Sequence, residues 1–284
     1  MKIKKLLCLV LAILLLCLSG CGEAPTPTEP SETIKKEEPE VKEISILFIG
    51  NSYTYYNDMP NMIFKKMAEA AGYETKIKYI TKGGHKLSQF ADLTYEYGEK
   101  VEAALTGSTK YDFVILQEQS VRPATEDAPD FYGAVRNLSA RIRKTGATPV
   151  LYATWGRKTG SDTLETYGWT NEEMTWRLAA AYQAIGNELE IDVAHVGVAF
   201  FDVYTNHSDI ELYDPDKTHP SYAGSYLAAA TLFAKIFNED PTELTFKGSL
   251  SEEYATILLE AARKAVFETP GIPKPYLTSS KGVG

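Results

Sequence analysis

Ile44-Ser45-Ile46-Leu47-Phe48-Ile49-Gly50-Asn51-Ser52-Tyr53 is the stretch on which the reading of this chain turns. Residues 44–50 form a compact, almost wholly apolar run, and Gly-Asn-Ser closes it. An apolar run of that length, ended by turn residues, predicts a strand buried on both faces, as in a parallel sheet. The pattern repeats downstream. A helix is predicted over 59–71, ending at Gly72, and a second strand over 75–81 with a Gly83-Gly84 turn behind it. Further strands are predicted over 111–117 and 148–154, and a weaker one over 192–197. Thr170 and Glu173 form a capping box ahead of Met174, Leu178, Tyr182, Ile185 and Leu189, which recur at helical spacing. Tyr222, Tyr226, Ala229, Phe233 and Phe237 define another helical stripe, and Ser251 caps a last helix. Strands alternating with amphipathic helices predict an α/β fold whose sheet is covered on both faces.

The chain has 284 residues and a formal net charge of −9. Lys2, Lys4 and Lys5 precede an apolar run, 6–18, that ends in Leu18-Ser19-Gly20-Cys21. That is the layout of a secretion signal, and the end of the run resembles the lipobox of bacterial lipoproteins. The expectation is a signal peptide over 1–20 and a lipid anchor on Cys21. A solvated tether follows over 21–43, rich in proline and glutamate and free of aromatic residues. One catalytic domain is expected over 44–270 and a frayed tail over 271–284. The localisation expected is an exported protein anchored in the cell membrane. All three cysteines (Cys8, Cys17, Cys21) fall in the signal segment, so the domain itself has neither thiol catalysis nor disulfides to draw on. Its acidity gives no counterion-release affinity for nucleic acid. It favours a neutral or cationic substrate over a polyanion.

Functional residues in open parallel sheets gather where the strands end at their carboxyl side. Ser52 stands after the first strand, Gly84 after the second, Gln117-Glu118-Gln119-Ser120 after the third and Trp155 after the fourth. Far downstream, Asp216-Lys217-Thr218-His219 supplies an acid and an imidazole three positions apart. Serine becomes a useful nucleophile only beside a positioned base, and the order Ser, Asp, His can furnish one.

Taken together, Gly50-Asn51-Ser52, Gly84 and Asp216-x-x-His219 resemble the sequence blocks of the SGNH (GDSL-like) hydrolases. The resemblance covers most of residues 44–240. It implies a three-layer α/β/α sandwich on a flavodoxin-like parallel sheet of about five strands. It also implies a serine esterase acting through an acyl-enzyme, with Ser52, His219 and Asp216 as catalytic residues and no cofactor or metal. The third block departs from the family's Gly-x-Asn-Asp. Ungapped alignment puts Gln119 at the asparagine position, whereas the Gln-Gly-Glu motif of related carbohydrate acetylesterases favours Gln117. The oxyanion hole implied is therefore Ser52, Gly84 and either Gln119 or Gln117. The polar stretch 155–169, with Trp155, Arg157 and Trp169, falls on the catalytic rim and is read as a substrate-binding loop, because aromatic faces suit sugar rings. The substrate expected is an acylated, above all acetylated, small molecule or glycan. The alternatives weighed are a catalytically silent glycan-binding lipoprotein and a metal-dependent hydrolase built from Asp214, Asp216, His207 and His219.

Overall fold

The computed structural model describes residues 42–268 and 271–277. The signal, the Cys21 anchor, nearly all of the tether and the last residues of the tail lie outside them. Five parallel strands, β1 (Lys42–Gly50), β2 (Tyr73–Thr81), β3 (Phe113–Leu116), β4 (Thr148–Tyr152) and β5 (Asp192–Ala194), run in the order β2-β1-β3-β4-β5. That is the flavodoxin-like order, in which the chain reverses direction across the sheet beside β1 and opens a crevice between β1 and β3. Every pairing is parallel, with Phe48 in register with Tyr79 on one side and Ile115 on the other.

Strand β1 explains the layering. Ile44, Ile46 and Phe48 are buried on one face, while Leu47 and Ile49 are buried on the other. Side chains alternate across a strand, so a run apolar at every position must be covered twice. One cover is helix α2 (Lys65–Ala70) with the π-helical turn Met59–Phe64 before it, joined by α8 (Val196–Asn206), α9 (Tyr222–Phe237) and α10 (Glu252–Phe267). The other cover is α3 (Leu87–Ala91), α4 (Glu96–Thr106), α5 (Ala128–Lys144) and α7 (Asn171–Leu189). Two short helices, α1 (Ser52–Tyr55) and α6 (Asp162–Tyr167), lie in the connections after β1 and β4.

Differences from the sequence reading are local. The helix expected over 59–71 is α-helical only from Lys65. Before that the Lys65 N–H reaches back five residues to the Pro60 carbonyl. The fifth strand ends at Ala194, because Val196 to Phe200 wind into α8 and bury their apolar side chains as a helix. Helix α5 carries a legible stripe of Phe131, Val135, Leu138 and Ile142 that the sequence reading passed over. The capping box of Thr170 and Glu173 is present at the start of α7. The stretch expected to fray from 271 includes a helical turn, Lys274–Tyr276, that sets the Tyr276 ring 5.9 Å from the Arg177 guanidinium. No helix among the described residues is long and apolar enough to cross a membrane.

Trp155 corrects one functional expectation. Its ring is fully buried, stacked between Tyr53 (4.4 Å between centroids) and Phe200 (4.2 Å). It cannot serve as a sugar platform. Truncation of a buried tryptophan removes its transfer energy and leaves a cavity, so Trp155→Ala should destabilise the fold by about 3–5 kcal/mol in denaturant unfolding. A loss below about 1 kcal/mol would mean that the ring is not part of the core.

Candidate functional site

Ser52 is the first residue of α1, held there because the Asn51 side chain accepts the Tyr53 N–H at 3.2 Å. From this position its Oγ lies 2.8 Å from His219 Nε2. His219 Nδ1 in turn lies 2.5 Å from Asp216 Oδ2. A carboxylate can only accept, so Nδ1 carries the ring proton and Nε2 is left to accept from the Ser52 hydroxyl. The second Asp216 oxygen accepts the N–H groups of Thr218 and His219, each at 2.9 Å. Partial burial alone would raise the Asp216 pKa, but the His219 ring and these two donors outweigh it and hold the carboxyl below its ordinary range. The turn closes through Lys217 in the left-handed region (φ 62°), whose ammonium donates to the Gly160 carbonyl at 2.6 Å. Trp155 Nε1 donates to the Thr218 carbonyl at 3.2 Å, so the buried tryptophan steadies the acid–imidazole turn from below. Tyr56 stacks on the His219 ring at 4.2 Å.

The structure separates the two glutamines. Gln117 is fully buried, and its Oε1 accepts the Asn51 N–H and the Thr54 hydroxyl, both at 2.9 Å. Its Nε2 donates to Asn51 Oδ1 at 3.0 Å and to the Glu118 carbonyl. Both amide hydrogens are thus spent inside the scaffold, which removes Gln117 from the candidate oxyanion donors. The same contact explains Gly50, where a Cβ would stand 2.6 Å from both Gln117 Oε1 and Thr54 Oγ1. Gln119 instead lines the cavity of about 190 Å³ beside Ser52, together with Gly84, Arg157 and His219. Among the described residues no hydrogen bond takes up the N–H of Ser52, the N–H of Gly84 or the Gln119 amide nitrogen. Gly84 holds φ 71°, a conformation that favours glycine.

Glu118 was not singled out in sequence, although it neighbours both glutamines. It is fully buried, and its carboxylate accepts the Leu87 N–H at 3.2 Å and the Gln119 N–H at 2.5 Å. It therefore ties the segment behind Gly84 to the segment bearing Gln119. Burial pushes its pKa up from 4.5 to about 7 despite those donors and the nearby Arg122.

Of the substrate loop, only Arg157 lines the cavity. Trp169 packs elsewhere, against Leu164, Met174 and Leu178, with its ring stacked on Tyr167 and covered by Arg177. The sequence argument failed there because aromatic residues on a polar loop also serve to anchor it. Asp214 and His207 join Asp216 and His219 in no group of three metal ligands among the described residues. Both nitrogens of His219 are engaged by Asp216 and Ser52.

No protein-family model and no curated protein sequence matches the chain. Solved structures do. A protein of Slackia heliotrinireducens assigned to the SGNH hydrolases is 33% identical, with a TM-score of 0.60 over 69% of this chain and 100% of the relative. The chain belongs to the SGNH hydrolases. Membership places it among hydrolases. A DUF4886 family protein from Bacteroides uniformis shares the fold, at 20% identity and a TM-score of 0.71 over 82% of this chain and 98% of that one. So does a lipase from a goat rumen metagenome, at 13% identity and a TM-score of 0.51 over 68% and 97%.

Glu118 gives this SGNH hydrolase a testable pH signature. Its folded pKa is raised, so its contribution to stability is full below about 4.5 and falls as pH rises toward about 7, where the folded carboxyl ionises. Thermal unfolding of Glu118→Gln between those limits should show a smaller decline than the parent shows. Equal slopes would contradict the assignment.

Proposed function

We propose that the protein is a serine esterase that removes short acyl groups, acetyl above all, through a covalent acyl-enzyme. The observation that carries this reading is the continuous hydrogen-bonded line from Ser52 Oγ through His219 to Asp216. In it His219 Nε2 takes the Ser52 proton as Oγ attacks the ester carbonyl, and Asp216 stabilises the imidazolium that forms. The imidazolium then protonates the departing alcohol. Water, activated by the same nitrogen, releases the acid and restores Ser52. The N–H groups of Ser52 and Gly84 and the amide of Gln119 receive the oxyanion, because they line one cavity and are unspent. The size of that cavity supports a small acyl group. The alcohol proposed is a carbohydrate, with the aromatic surface now supplied by Tyr56, stacked on His219, and Tyr55, whose ring lies 6.3 Å from that of Tyr56. Attachment at Cys21 belongs to the same proposal and would hold the domain at a membrane surface.

Ser52→Ala should lower ester hydrolysis by roughly four orders of magnitude without loss of fold. Gln119→Ala should lower kcat by roughly a hundredfold with little change in KM, as expected for a donor used mainly in the transition state. Steady-state kinetics on aryl acetates checks both. Substantial activity in Ser52→Ala would remove it as nucleophile, and a Gln119→Ala effect confined to KM would make that side chain a substrate contact. For the anchor, Cys21→Ser should move the protein from the membrane to the soluble fraction. Its retention in the membrane would end the lipoprotein proposal.

A further inference from the structure

Beside the nucleophile stands a cation with no carboxylate partner among the described residues. Arg157 lines the Ser52 cavity, and its hydrogen bonds go to neutral hydroxyls: Nη1–H to Thr163 Oγ1 at 2.5 Å and Nη2–H to Ser120 Oγ at 2.9 Å. Its Nε is buried and has no hydrogen-bond partner among the described residues. The same holds for the hydroxyl of Tyr53, a buried residue that also lines the cavity. The two groups influence each other: burial pushes the Tyr53 phenol up, and Arg157 and Ser120 temper the rise, yet neither forms a well-aligned hydrogen bond with it. Native interiors seldom leave buried donors unmatched. Most other arginines of the described chain find an acid: Arg122 meets Asp127 and Asp130, Arg136 meets Glu188, Arg141 meets Glu102, and Arg263 meets Glu260.

The surroundings lean the same way. Lys82 and Lys86 flank the Gly83-Gly84 turn, Lys217 sits between Asp216 and His219, and none of the three pairs with a carboxylate among the described residues. Asp216, engaged with His219, and Asp214 stand at the same end, so what sets Arg157 apart is local: its guanidinium meets two hydroxyls and no carboxylate among the described residues.

We propose that Arg157 is a specificity residue that receives a carboxylate carried by the substrate next to its scissile ester. The inference rests on the esterase reading and narrows it from a neutral ester to an acyl ester of a carboxylate-bearing molecule. A guanidinium held by two hydroxyls keeps further N–H donors for such a group, and its planar fork matches the carboxylate in shape and charge. A carboxylate so placed would orient the ester over Ser52 before any covalent step.

The test uses two pairs of esters that differ in charge but hardly in shape. In one the acyl part changes: para-nitrophenyl hemisuccinate against the para-nitrophenyl ester of succinamic acid. In the other the alcohol changes: meta-acetoxybenzoate against meta-acetoxybenzamide. Rates are corrected for spontaneous hydrolysis, and the readout is the ratio of kcat/KM within each pair, so a general loss of activity in a variant cancels. The full chain should favour the carboxylate member of one pair by roughly tenfold or more. Arg157→Gln should abolish that preference, and Arg157→Lys should retain part of it. Ratios near or below unity in both pairs, or a preference that Arg157→Gln leaves intact, would overturn the carboxylate assignment while ester hydrolysis stands. Hydrolysis of none of the four by the unaltered chain would overturn the esterase reading and this one with it.

Discussion

The amide side chain of Gln117 locked against Asn51 is the contact on which the site depends. Gln117 Oε1 accepts the Asn51 N–H at 2.9 Å, and Gln117 Nε2 returns a hydrogen bond to Asn51 Oδ1 at 3.0 Å. The Asn51 amide then donates to the His85 carbonyl at 3.0 Å. The ends of three neighbouring strands, β1, β2 and β3, are joined by two side chains. Each of those ends carries one proposed oxyanion donor: Ser52, Gly84 and Gln119. Buried networks of this kind hold geometry well only when every member is satisfied, and here every amide atom of the pair has a partner. Gly50 lacks a side chain because the network occupies that space.

A second frame carries the base. Trp155, pressed between Tyr53 and Phe200, donates to the carbonyl of Thr218, and the Asp216–His219 turn rests on that hydrogen bond and on Lys217 reaching Gly160. Tyr53 follows the nucleophile directly in the chain. Its ring therefore couples the serine turn to the tryptophan, and through it to the imidazole. The two frames meet at a distance of 2.8 Å between Ser52 Oγ and His219 Nε2. Both are built from residues fixed by packing, which is what pre-organised catalysis requires.

Much of this was legible in sequence because it follows from short-range rules. The doubly buried run of β1 announces a covered parallel sheet, and the Asp-x-x-His spacing lets one turn set a carboxylate against a ring nitrogen. What remained hidden depends on long-range contacts. Gln117 and Gln119 have the same chemistry and differ only in which way the chain turns after β3, so the strand-end network alone distinguishes them. Trp155 and Trp169 read as a rim because their segment is polar, but Trp155 is matched to a cluster contributed by distant helices, and Trp169 packs on the helices that flank its own loop. Glu118 gives no local sign of burial, and only the approach of Leu87 and Gln119 reveals its place. The missing counter-ion of Arg157 is likewise invisible until its neighbours in space are known.

The central claim is that Ser52 is an activated nucleophile, and covalent trapping tests it most directly. Incubation with a fluorophosphonate, followed by intact-mass measurement and peptide mapping, should give one adduct per chain, located on Ser52. His219→Ala should slow the labelling by orders of magnitude, since the hydroxyl then loses its base. Labelling of a different residue, or of Ser52 at the same rate with and without His219, would contradict the account.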